Sequence, residues 1–132
     1  MKIGYCCGVF DLGHIGHIRF LKNARKKCNR LVVGIVMDYA IQKQKGKKRP
    51  ILNYAERRDW VEELGIACRI VPQATFNPSV NLIELKPQVF IKGIDQNHIS
   101  DETAIKLKIP ICILERTPHI STSDIIQRIK QK

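Results

Sequence analysis

The run Leu31-Val32-Val33-Gly34-Ile35-Val36-Met37 holds seven consecutive residues without a charged or polar side chain. It lacks the alternation of a strand with one wet face, and it is far too short to span a bilayer. Such a run is expected of a strand buried on both faces, as in a parallel sheet covered by helices on each side. The rest of the chain has the matching punctuation. Strands are predicted over 2–8, 31–37, 68–71, 89–91 and 109–114. Helices are predicted over 16–28, 54–64 (with Gly65 as the stop), 79–86, 101–108 and 121–131. A polar loop is expected from Gln42 to Asn53. Strands alternating with helices imply an α/β architecture with right-handed crossovers, and 132 residues suffice for one domain with a real core.

In such a sheet ligands bind beyond the carboxyl ends of the strands. The informative stretches are therefore Gly8–His17, Asp38, Lys92–Asp95 and Arg116–Ser123. The first reads as strand, glycine-rich turn, helix start. Gly8, Gly13 and Gly16 permit backbone conformations that a Cβ would block, and let backbone N–H groups come close to a ligand. The free N–H groups and positive end of the following helix favour an anion, typically a phosphate. His14 and His17, three residues apart, fall on one helical face at that mouth.

The spacing excludes commoner motifs. GxGxxG fails for want of the first glycine pair, the P-loop fails for want of its lysine, and the zinc motif HExxH has neither its glutamate nor its spacing. The pattern that fits is HxGH. With the preceding residues it gives G-x-F-D-x-x-H-x-G-H, and here the chain resembles the HxGH nucleotidyltransferases, in particular the glycerol-3-phosphate cytidylyltransferase-like enzymes. A second match lies at Arg116-Thr117-Pro118-His119-Ile120-Ser121-Thr122-Ser123, which resembles that family's R-T-x-G-I-S-T-S/T before the last helix. The resemblance covers nearly the whole chain, 1–132, and implies a single Rossmann-like domain.

It also implies roles. His14 and His17 would stabilise the transition state of nucleotidyl transfer, donating to phosphate oxygens as charge spreads. Gly8, Val9, Phe10, Asp11, Gly16, Arg116, Thr117, Ile120, Ser121, Thr122 and Ser123 would hold the nucleotide. Asp11 is the candidate for organising the histidines or a Mg²⁺ ion. Of the family's two acidic residues after the fourth strand only Asp95 remains, as a contact for base or ribose. The run Lys43-Gln44-Lys45-Gly46-Lys47-Lys48-Arg49 carries five cations in seven residues. Lys45 is expected at the reacting phosphates and Lys43 at the acceptor's phosphate, with Lys47 as competitor; Arg57 would reach the nucleotide or a dimer contact.

Three departures stand out. His119 occupies the family's glycine position, Ile94 replaces an acid, and Ser79 stands where the glycerol-phosphate enzymes carry an acceptor-binding lysine. The expected reaction is transfer of CMP from CTP, with Mg²⁺, to a phosphorylated alcohol, releasing pyrophosphate. An adenylyltransferase using ATP and a sugar phosphate or cofactor precursor is the alternative, and Lys92-Gly93-x-Asp95 resembles sugar-phosphate adenylyltransferases.

A net charge of +11 calls for anionic partners. A nucleic-acid-binding or regulatory module is the rival class, disfavoured because aromatics are only 6% and not interleaved with the basic runs. Five cysteines without a CxxC pair read as small buried hydrophobes in a reducing compartment. With no long apolar leader near the N-terminus, a cytoplasmic setting is expected. The resemblance further implies a homodimer.

Overall fold

A computed structural model describes residues 1–94, 96, 101–115 and 120–132. Five strands, β1 (Ile3–Gly8), β2 (Arg30–Val36), β3 (Arg69–Gln73), β4 (Val89–Gly93) and β5 (Ile111–Leu114), form one parallel sheet in the order β3-β2-β1-β4-β5. Six helices appear among the described residues: α1 (Ile15–Arg25), α2 (Asp38–Lys45), α3 (Tyr54–Glu63), α4 (Ser79–Leu85), α5 (Glu102–Lys106) and α6 (Thr122–Gln131). This is the predicted single α/β domain with a five-stranded parallel sheet.

The doubly buried character of β2 explains the layering. Val33 and Ile35 face one core with Cys6 and Ile91, closed by Leu21 and Ala24 of α1 and Val61 of α3. Val32 faces the other core with Tyr5 and Phe90, closed by Leu82 of α4 and Ala104 of α5. Gly34 lacks a side chain because a Cβ there would collide with the Tyr5 hydroxyl. That buried hydroxyl donates to Gln73 Oε1 (2.6 Å) and accepts from Asn81 Nδ2 (2.9 Å), so both of its roles are filled.

Several element ends move by one to three residues, α1 stopping at Arg25 and β5 starting at Ile111, and two differences bear on the cleft and the sheet edge. Helix α2 occupies the start of the presumed polar loop. Its buried face is only Ala40 and Ile41, packed with Val36, Val9 and Phe76, and the exposed lysines around it mask the helical period. Strand β3 continues through Pro72 to Gln73, two residues further than predicted. A proline is tolerated there because β3 is an edge strand.

The chain winds from β1 outward through β2 to β3, then returns to the other side of β1 for β4 and β5. The direction therefore switches between β1 and β4, where a crevice opens above the strand ends.

Candidate functional site

The crevice is a cleft of about 310 Å³ at the ends of β1, β2 and β4. Its floor is the turn Gly8–Asp11. His14, Gly16 and His17 of α1 line it, as do Ile120 and Ser121–Ser123 at the start of α6 and Lys45 and Arg49 after β2.

The turn is built differently from the glycine reading. The left-handed conformations belong to Phe10 (φ 55°) and Leu12 (φ 50°), not to the glycines. Strain of this kind persists only where the surroundings over-determine the backbone. Here Asp11 is the anchor. Its buried carboxylate accepts from Ile51 N (2.7 Å) and Leu52 N (2.9 Å), and its carbonyl accepts from Thr122 Oγ1 (2.7 Å). Two distant segments, the 51–52 loop and the start of α6, are thereby tied to one residue. Asp11 thus organises the 49–53 loop instead of the histidines, and both its oxygens are already engaged.

The glycines serve close approach. A Cβ on Gly13 would fall inside the Trp60 indole, and one on Gly16 would lie 2.8 Å from His14 Cε1 and 3.3 Å from Ile120 Cγ2. Gly13 thus lets Trp60 close against His17, their rings edge to face at 5.8 Å. Gly16 lets the α6 approach meet His14.

His14 is the N-cap of α1 and His17 its third residue, and the two form a reciprocal capping box. Gly16 N donates to His14 Nδ1 (3.1 Å), and His14 N donates to His17 Nδ1 (3.3 Å). Each Nδ1 is therefore an acceptor, which assigns the proton of each neutral ring to Nε2. The rings stack with centroids 3.8 Å apart. Burial, and secondly the adjacent His14, lower the His17 pKa to about 3. At neutral pH His17 is an uncharged N–H donor.

Lys45 ends α2 and its ammonium lines the cleft. Partial burial, then the nearby Arg49, lower its pKa, while Asp11 acts in the opposite sense. Lys43 and its competitor Lys47 are exposed, as Lys45 is, but neither lines the cleft, so the structure gives the phosphate role of this run to Lys45.

Arg57 is also outside it. Fully buried, it donates from Nε to Leu52 O (3.0 Å) and from Nη1 to Val9 O and Val36 O (2.8 Å each). Its Nη2 pairs with Asp38 Oδ1 at 2.6 Å. It stitches the ends of β1 and β2 to the loop, where a nucleotide or dimer contact was expected. Lys92 is likewise buried, paired with Asp101 at 2.7 Å, and Gly93 beside it lines the cleft. Asp95, Arg116, Thr117 and His119 lie outside the described residues.

Arg49 and Gln96 also line the cleft, although no motif marks either for a role. Gln96 accepts from Gly93 N (2.9 Å) and donates to Cys7 O (3.0 Å), joining the β4 and β1 ends across the switch point. Of the cysteines, Cys6, Cys7 and Cys28 are buried as expected, but Cys68 is exposed. Burial pushes the Cys7 thiol up to about 12, which makes it inert beside the cleft.

A turn that wraps a helix mouth, two neutral N–H donors and two cations are what an anionic, polyphosphate-bearing ligand requires. The cytidylyltransferase-like family model matches residues 5–128. The chain belongs to that family. Among its relatives, the bifunctional protein HldE of Blochmanniella floridana is 33% identical over 98% of this chain and 28% of its own length. The HldE of Hyphomonas neptunium is 39% identical over 72% of this chain and 20% of its own. The chain thus spans less than a third of the curated relatives it matches. A lipopolysaccharide core biosynthesis protein from Thermoplasma volcanium has a TM-score of 0.73 at 29% identity, covering 91% of this chain and 99% of that one. Pantothenate synthetase from Thermus thermophilus, at 12% identity and TM-score 0.62 over 94% of this chain and 58% of its own, shares the fold alone. Among the described residues no helix is long and apolar enough to cross a membrane.

Proposed function

We propose that this protein transfers a nucleoside monophosphate from a nucleoside triphosphate to a small phosphate monoester, releasing pyrophosphate. The observation that carries this reading is the stacked His14–His17 pair, fixed as Nε2–H donors at the mouth of α1 within a cleft that also holds the α6 start. An oxygen of the acceptor phosphate attacks the α-phosphorus. The bond from that phosphorus to the bridging oxygen breaks, and its electron pair leaves with pyrophosphate. An ionised phosphate has no proton to lose, so the reaction needs no general base. The imidazole donors answer the charge rising on the α-phosphate oxygens. The N–H groups of α6 take the β- and γ-phosphates.

Two donors have support. CTP is favoured by the family description and by the Arg116–Ser123 match. ATP with a sugar phosphate is favoured by Lys92-Gly93 and by relatives named for HldE and for lipopolysaccharide core biosynthesis. Ser79 in place of the acceptor lysine speaks against glycerol 3-phosphate. A phosphorylated sugar is therefore the acceptor class we favour.

Among the described residues no three metal-ligating side chains gather in one place, and each Asp11 carboxylate oxygen already accepts a backbone N–H. The described residues do not form a Mg²⁺ cage. Mg²⁺ belongs to the substrate, chelated by phosphate oxygens and water. We further propose a homodimer, as the resemblance implies.

The test is pyrophosphate release with CTP and ATP, each against a panel of sugar phosphates and phosphorylated alcohols. One donor–acceptor pair should stand out, and His17→Ala should lower its turnover by at least ~10² with folding retained. No release with any pair, or normal turnover in the variant, would overturn the reading.

A further inference from the structure

Arg49 is only loosely paired among the described residues. Its Nε is buried and makes no hydrogen bond among them. The ion pair it forms there, to Asp11 Oδ2, is 3.8 Å long, beyond hydrogen-bonding range. Each Asp11 carboxylate oxygen already accepts one backbone N–H, from Ile51 and Leu52, so its charge is shared with the loop backbone as well as with Arg49. Lys45 lies close enough to feel both the Arg49 and the Asp11 charges. Two cations thus share one engaged carboxylate at the cleft wall. Leaving a buried guanidinium nitrogen unpaired is costly, so the arrangement is incomplete without a further anion.

We propose that Arg49 is the residue that grips the acceptor's phosphate, with Lys45 beside it, in a subsite separate from the triphosphate subsite; this rests on the nucleotidyl-transfer reading above. Transfer requires two anions, the α-phosphate and the acceptor phosphate, to approach within bonding reach. Their repulsion calls for separate cationic contacts. The triphosphate contacts come from the β1–α1 turn and from the start of α6. Arg49 comes from a third segment, the loop between α2 and α3, so it can serve the second anion without competing for the first.

That loop is held rigidly. Asp11 receives two of its N–H groups, Arg57 donates to Leu52 O, and the Asn53–Glu56 capping box fixes its exit into α3. The fork is therefore positioned in advance, and its planar donor set suits two oxygens of a phosphate monoester better than an ammonium does.

The test compares Arg49→Gln and Arg49→Lys with wild type, and with Lys47→Ala as a control on an exposed lysine of the same loop outside the cleft. Thermal melts establish folding, and Arg49→Lys decides if Arg49→Gln is unfolded. With the best acceptor of the panel, Arg49→Gln should raise the acceptor KM at least about tenfold, while the triphosphate KM stays within about threefold. Arg49→Lys should fall between, and Lys47→Ala should match wild type. A rise in the triphosphate KM in place of the acceptor KM would overturn the assignment, as would no change in either. Should wild type turn over no pair, the transfer reading fails by itself. Calorimetric titration of inorganic phosphate then still decides the subsite. Binding weakened at least about tenfold in Arg49→Gln but not in Lys47→Ala supports it, and equal binding in all three overturns it.

Discussion

His17 lies between Phe10, Trp60 and the stacked His14 ring, and burial there holds its pKa near 3, against 6.5 for the free side chain. Between those values the unfolded chain binds a proton that the folded chain refuses. Stability therefore rises with pH across this window and is lost as pH falls from 6.5 toward 3. Between pH 7 and pH 5 the contribution amounts to about 2 kcal/mol. Denaturant melts of wild type and His17→Gln at the two pH values should show wild type losing about that much more than the variant. Equal losses would mean that the ring is charged or solvated in the fold. The same neutrality makes His17 a donor of fixed orientation, with Nδ1 committed to the His14 N–H.

Helices α2 and α3 and the loop joining them show where sequence patterns stop. The strands were legible because residues such as Val33 and Ile35 on one face and Val32 on the other must all be buried. Helix α2 was hidden because burying Ala40 and Ile41 alone leaves no readable period. In the site, residue type and spacing marked both histidines and the Ser121–Ser123 cap. They also placed Lys45 but could not separate it from Lys43, since only the helical turn decides which lysine faces the cleft. Arg57 was expected at the nucleotide or a dimer contact, and its actual role depends on the carbonyls of Val9 and Val36, brought to it from distant strand ends. Arg49 and Gln96 likewise acquire theirs only through tertiary contacts. The glycine turn was located correctly, yet its positive φ values fall on Phe10 and Leu12. Removal of Arg57 would leave the carbonyls of Val9, Val36 and Leu52 and the carboxylate of Asp38 without their partner. Arg57→Ala should cost about 3–5 kcal/mol in chemical denaturation. A loss below about 1 kcal/mol, the range of an exposed pair, would contradict the structural role.

Across the whole molecule, the strand order β3-β2-β1-β4-β5 places the first turn and the last helix on one cleft. The bond from Thr122 Oγ1 to Asp11 O joins them across 111 positions of sequence. The central claim is that the imidazole pair and the α6 start together grasp one polyphosphate. A crystal structure of the protein with a non-hydrolysable CTP or ATP analogue tests it most directly. The α-phosphate oxygens are expected within about 3.2 Å of Nε2 of both His14 and His17, with the terminal phosphates over Ser121–Ser123. A triphosphate bound away from both imidazoles would contradict it.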